Sequence, residues 1–325
     1  MKIKSNVMTA SRITSLAGAL LIFCALGSPA NGAPAPEQKG FDTPQLAVEE
    51  LIKAAESFDV PALTSILGPG SEDLVASEDA VQDKSRAATF AAKAKEKNST
   101  EVDPKNKDRA TLFVGEEEWP LPIPIVKRKA KWFFDTKAGR EAVLLRRIGA
   151  NELDVIQICL GYVEAQQEYS LEKHDDSIVN QYAQKIISTP GKKDGLAWQN
   201  PDGTWGGPVG EGVARALEEG YTDKTKPFHG YFFKVLKGQG PDAPPGEIDF
   251  MVGNAMIGGF ALVAAPAEYR VTGAQTFMVS HDGVVYQKDL GPDTLKVFQT
   301  IERFNPDKTW KVSDDQFEEE TVAAQ

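Results

Sequence analysis

The sequence predicts an α+β protein built in two halves, each running from helices into an antiparallel sheet. Two observations carry this. Apolar residues recur at spacings of three and four in two blocks, before about residue 97 and again from Lys137. Each block is followed by several short, turn-separated runs that read as strands, so helices and strands are segregated and do not alternate as βαβ units.

The first block begins at FDTPQLAVEELIKAAESFD. Asp42 or Thr43 can cap a helix there, and Pro44 suits its first turn. Leu46, Leu51 and Ile52, with Ala47 and Ala55, form its apolar face. VPALTSILG predicts a short second helix that stops at Gly68, and SEDLVAS and DAVQDKSRAATFAAKAKEK are helical in pattern. The lysines of KAKEKNSTEVDPKNKDR predict a solvated loop. RATLFVG, WPLPIPIVKR and AKWFFDT then read as three strands. Pro120, Pro122 and Pro124 remove three amide donors, so that stretch is expected at a sheet edge or as a polyproline-like segment.

Helical spacing returns from Lys137 to about Glu172. Gly149 and Asn151 are expected to break it into two helices. In the second of these, Leu153, Ile156, Leu160 and Val163 make a core-facing stripe with Cys159 beside them. DDSIVNQYAQKIIS predicts a further helix ended by TPG. Residues 190–227 are rich in glycine and proline, carry Trp198 and Trp205, and enclose a short helix at VARALEEG. Irregular segments of this length are usually functional or disordered. GYFFKVL, GGFALVAA, AQTFMVS and GVVYQKDL are strands, and DTLKVFQTIERF is a last helix.

The implied organisation is a signal peptide at 1–30, a linker at 31–40, an N-terminal α+β domain at 41–148, a C-terminal α+β domain at 149–312 and an acidic tail at 313–325. MKIKSNVMTASR is basic, SLAGALLIFCAL is an apolar run of about twelve residues, and SPA at 28–30 offers the small residues of a cleavage site. The expected location is therefore periplasmic or secreted. Cleavage removes Cys24 and leaves Cys159 alone, without an intramolecular disulfide partner, as a buried inert thiol. No later run is long and apolar enough to form a stable membrane span. The chain carries a net charge of −11 and no strong basic stripe, which argues against a nucleic-acid partner.

Motifs for chemistry are sparse. His281-Asp282-Gly283 lies between FMVS and VVYQ, where Asp-Gly is a hairpin signal before it is a catalytic pair. His174 and His229 stand at unrelated spacings, and no metal-ligand pattern such as H-E-x-x-H or paired C-x-x-C is present. Ser170–Lys173 matches S-x-x-K without the companion elements of penicillin-binding proteins. Glu116, Glu117 and Glu118 form a solvated turn more readily than a carboxylate pair. No nucleotide or dinucleotide fingerprint occurs, and no cofactor is expected.

Several stretches together resemble one family. FDTPQLAVEELIKA, ILGPGSEDLV, FVGEEEWPLPIPIV, WFFDTKAGREAVLLRRIGANEL, STPGKKDGL and GNAMIGGFALVAAPAEY, with GVVYQKDLGPDT, resemble the secreted bacterial domain-of-unknown-function family 2950 over roughly residues 41–312. That family implies no catalytic residue. The C-terminal half is also similar to type IV pilin-like globular domains, through NELDVIQICLGYVEAQQEY and a hairpin with Thr272, Gly273, Phe277, Val279, Asp282, Gly283 and Val284. It departs from a pilin at Gln45, where KGFDTPQ lacks the usual Glu and no hydrophobic helix follows. The N-terminal half is similar in pattern to NTF2-like domains.

The leading functional expectation is a non-enzymatic envelope protein, a binding or assembly module that contacts another envelope protein through Trp198 and Trp205. The alternative is a small-ligand binder with an apolar cavity lined by Trp119, Trp132 and Phe134, together with Phe133. A periplasmic hydrolase comes third.

Overall fold

In the computed structural model, Thr43 accepts the Leu46 amide and Pro44 takes the first turn of helix α1 (Pro44–Glu56), as the sequence expects. The structure describes residues 38–314 apart from Lys224 and Pro245. The expected signal peptide, most of the linker and nearly all of the acidic tail lie outside the described residues. Asp59 caps α2 (Val60–Leu67), which ends at Gly68, and α3 (Glu72–Val75) is a single turn. Asp79 caps α4 (Ala80–Glu96) through the Gln82 amide. Helix α1 buries Ala47, Val48, Leu51, Ile52 and Ala55. Each fully buried Leu or Ile side chain contributes about 1.5–3 kcal/mol.

The first sheet contains β1 (Asn98–Val102), β2 (Arg109–Val114), β3 (Trp119–Pro120), β4 (Ile125–Arg128) and β5 (Lys131–Phe134). Its order is β1-β2-β4-β5, with β3 also on β2. Two expectations need correction. The lysine-rich stretch is not all loop, because 98–102 pairs along β2 from Asn98↔Val114 to Val102↔Ala110. This edge strand is largely exposed, so no apolar alternation marks it. The stretch WPLPIPIVKR is not one strand either, although Pro120 does sit at an edge as expected, since β3 pairs only with β2. β3 and β4 lie one after the other along β2, and β4 is interior, between β2 and β5. Pro122 and Pro124 fall in the gap between them, where no ladder bond is needed. There the Leu121 amide donates to Leu112 O at 2.8 Å, and Pro124 O accepts from the Asp135 amide at 2.8 Å.

Helix α5 (Thr136–Tyr169) is one unbroken helix of 34 residues, not two. A Cβ on its Gly139 would come within 2.5 Å of Pro122 O, so glycine lets the helix dock on the proline gap. Gly149 faces open space, and Asn151 is fully buried and bonded to two other parts of the chain. The low helix propensity of both residues is overridden by these tertiary contacts and by packing on either side. The boundary expected between 148 and 149 thus falls inside α5.

Residues 175–188 are not helical. Gln166 engages Ala183 with both ends of its amide, at 2.8 Å each. The Tyr182 amide donates to Met256 O and the Ser188 amide to Ala197 O, also at 2.8 Å. Backbone groups a helix would use internally are committed elsewhere. A hairpin of β6 (Trp198–Gln199) and β7 (Trp205–Gly206) follows, then α6 (Gly210–Glu219).

The second sheet is built from β8 (Tyr231–Leu236) and four later strands. Two small ribbons come between: β9 (Gly238–Gln239) with β10 (Ile248–Asp249), and β11 (Met251–Val252) with β12 (Ala255–Met256). Then come β13 (Ala261–Pro266), β14 (Gln275–Ser280) and β15 (Val285–Asp289), helix α7 (Thr294–Thr300), and β16 (Lys311–Val312). The order is β16-β15-β14-β13-β8, antiparallel throughout. Every residue of β13 is buried, so both faces of the sheet are covered there. Helix α5 packs on β13, β14 and β15, and α7 packs on β13. The Asp282-Gly283 turn forms as expected, with Gly283 at φ +75 and Asp282 accepting from Ser280 Oγ and the Val284 amide.

Each half has its own buried cluster. One gathers Leu51, Ile66, Leu112, Ile125, Trp132 and Phe134. The other gathers Ile156, Tyr162, Tyr231, Phe260, Leu262 and Phe277. Among the described residues, no helix is long and apolar enough to cross a membrane.

Candidate functional site

The residues expected at a contact surface sit on one small hairpin but face opposite ways. In the β6–β7 register Trp198 pairs with Gly206 and Gln199 with Trp205, so the two indoles point to opposite faces. Trp198 turns inward. It packs on the C-terminal core, with the Lys193 ammonium 4.9 Å from its ring and His174 at 5.6 Å. Gly207, at φ +94, closes this side: a Cβ there would meet Leu196 O at 2.4 Å and the Trp198 ring at 2.8 Å.

Trp205 turns outward, half-buried, toward α6. With Thr204, Glu211, Ala214, Leu217 and Glu218 it lines an open groove of about 540 Å3. The hairpin that holds it is tied at its tip. The Asn200 amide donates to Thr204 O at 2.8 Å, and Asp202 accepts the Thr204 hydroxyl and amide. Those two bonds, the hydroxyl first, hold the Asp202 carboxyl below the usual carboxylate range. Helix α6 buries only Gly210, leaving Ala214 and Leu217 partly open beside Trp205.

Of the residues expected around an apolar cavity, Trp132 and Phe134 come together in the core and Trp119 and Phe133 lie apart from them. Trp132 is 8% exposed and Phe134 1%, both among the side chains of the N-terminal core. Phe133, on the other face of β5, lies against Gly40. Trp119 stands at the surface, 39% exposed, under the Arg146 guanidinium at 4.5 Å. None of them lines the hollow at Trp205 or a second one of about 280 Å3 beside α1 and α2.

The histidines are dispersed. His174 stacks on Tyr169 at 3.8 Å, and His281 meets Phe250 and Phe260 edge-on. His229 is different. Its Nδ1 lies 2.8 Å from Asp154 Oδ2, its ring stacks on Tyr221, and its backbone has φ +50. No hydroxyl or thiol among the described residues hydrogen-bonds this ring. Cys159 is fully buried, and burial pushes its thiol up to about 12. Glu116 and Glu118 pair with Lys97 on the surface. No group of three metal-ligating side chains occurs among the described residues.

A polar cluster that joins the two halves was not legible in the sequence. Asp79, at the N-cap of α4, accepts the Gly230 amide at 2.7 Å and the Tyr221 hydroxyl at 3.1 Å. Burial, and then the Asp79 charge, push the Tyr221 phenol well above its ordinary value. Arg86 donates to Asn151 Oδ1 at 2.6 Å, and Asn151 donates to Thr272 O at 2.7 Å. Arg147 donates to Asp73 O and Leu74 O, with Asp83 3.9 Å away. Burial raises the Asp83 carboxyl, against the opposing Ser77 amide. Its members come from residues 73–86, 147–154, 221–230 and 272, and no motif spacing joins such segments. The cluster clasps α4 to α5 and to the loops before β8 and β14.

These features define an α+β protein with an aromatic-walled groove on a hairpin–helix projection and a buried polar clasp between its two halves. The chain belongs to the family described as protein of unknown function (DUF2950), whose model matches residues 38–313. No curated protein and no solved structure matches it.

Proposed function

We propose that this is a secreted, non-enzymatic binding module of the cell envelope that presents the groove between the β6–β7 hairpin and α6 to another protein. The observation that carries the reading is the half-exposed Trp205, which walls an open apolar groove with Ala214 and Leu217. Aromatic side chains in such settings are the usual anchors of protein interfaces. The basic, then apolar, then small-residue N-terminus supports export. The packing of α5 on an antiparallel sheet accords with a pilin-like C-terminal half, and helices against the first antiparallel sheet with an NTF2-like N-terminal half.

The test is site-specific photocrosslinking in cells making the full chain, read from the envelope fraction. A crosslinker at Leu217 is compared with one at Leu153, which is 51% exposed on α5. The expected result is one dominant protein adduct through position 217, absent through 153 and lost in Trp205→Ala. Equal yields at both positions, or a chain retained in the cytoplasm, would overturn the proposal.

A further inference from the structure

We infer that the groove takes a short polypeptide segment carrying an apolar side chain next to a lysine or arginine. This rests on the reading of the groove as the contact surface. Along α6, Glu211, Ala214 and Glu218 fall at spacings of four or fewer and share one face. The seven-residue step from Glu211 to Glu218 is two turns, about 10 Å of axis. A carboxylate therefore stands at each end of an apolar centre made by Ala214, Leu217 and the Trp205 ring.

Along this segment acids outnumber bases. Between Trp198 and Gly220 the acids are Asp202, Glu211, Glu218 and Glu219, and the one base is Arg215. Arg215 lies 3.4 Å from Glu211, but the two side chains are 69% and 91% exposed. A pair this open is weakly held, so an incoming cation displaces it readily. The chain as a whole carries −11, which disfavours a second copy or the acidic tail as occupant and favours a basic partner at low ionic strength.

The experiment is calorimetric titration of the full mature chain with two short synthetic peptides, one alternating leucine with lysine and the other leucine with glutamate. The expected result is binding of the lysine peptide alone, weakening as salt rises. A Glu211→Gln/Glu218→Gln double variant, changed only at exposed positions, should weaken it by about tenfold, the equivalent of roughly 1.4 kcal/mol. Leu217→Ser should weaken it as well. If both peptides bind equally and Leu217→Ser abolishes both, the groove binds but the basic chemistry is wrong. If neither peptide binds while the crosslink at Leu217 persists, the inference about the occupant falls and the broader reading stands.

Discussion

The carboxylate of Asp79 accepts the amide of Gly230 at 2.7 Å, across 151 positions of sequence. The same side chain caps α4 and holds the Tyr221 hydroxyl. One buried residue therefore closes a helix in the first half and fixes the loop that leads into the second sheet. Gly230 is required opposite it. Its φ is +77, and a Cβ would come within 2.6 Å of Asn151 Nδ2.

Replacing Asp79 with alanine removes a cap worth about 1 kcal/mol and leaves a buried amide and hydroxyl without their acceptor, at about 1–3 kcal/mol. Asp79→Ala should lower unfolding free energy by roughly 3 kcal/mol in urea denaturation, and Asp79→Asn by less. A loss under about 1 kcal/mol would mean the clasp does not couple the halves.

Gly149 sits within α5 with nothing near its Cβ position. In an unbroken helix, Gly149→Ala should raise stability by about 0.5–1 kcal/mol. A helix broken at this residue would give the opposite sign, so one thermal melt of the variant distinguishes the two.

Asp194 yields a pH effect. Burial alone would raise its carboxyl, but Lys185 and then the Thr189 amide and hydroxyl bring it down to about 2. A carboxyl depressed on folding contributes stability above its unfolded value, near 4, and loses it as pH falls through the folded value. Unfolding curves should show stability declining between about pH 4 and pH 2. Asp194→Asn should flatten that decline and leave the curve shape near pH 7 unchanged.

Cys159 is sealed by burial, and its thiol is displaced upward to about 12. Thiol reagents should leave Cys159 unlabelled in the native chain at pH 8 and label it fully in denaturant. Rapid native labelling would show that the second half of α5 opens.

Local signals identified the elements whose reasons are local. Thr43 and Pro44 mark a helix start because a cap needs an oxygen and a missing amide donor. Asp282-Gly283 marks a hairpin because the turn needs positive φ. The alternation of β2 and the continuous buried run of β14 show because one face of the first and both faces of the second are covered. The irregular, glycine-rich setting of Trp205 singled it out in the sequence, whereas the Ala214 and Leu217 that line the same groove read only as part of a short helix.

The sequence by itself determined the α+β class, the family membership and the two blocks of helices followed by strands, because periodicity and caps act within a few residues. Tertiary structure decided what non-local contacts outweigh. Asn151 stays helical because Arg86 and Thr272 satisfy its buried amide. Residues 175–188 stay out of a helix because Gln166, Met256 and Ala197 take their backbone groups. The two indoles, seven positions apart, face opposite ways because a hairpin register sets which side of the ribbon each occupies, and nothing in their spacing fixes that register.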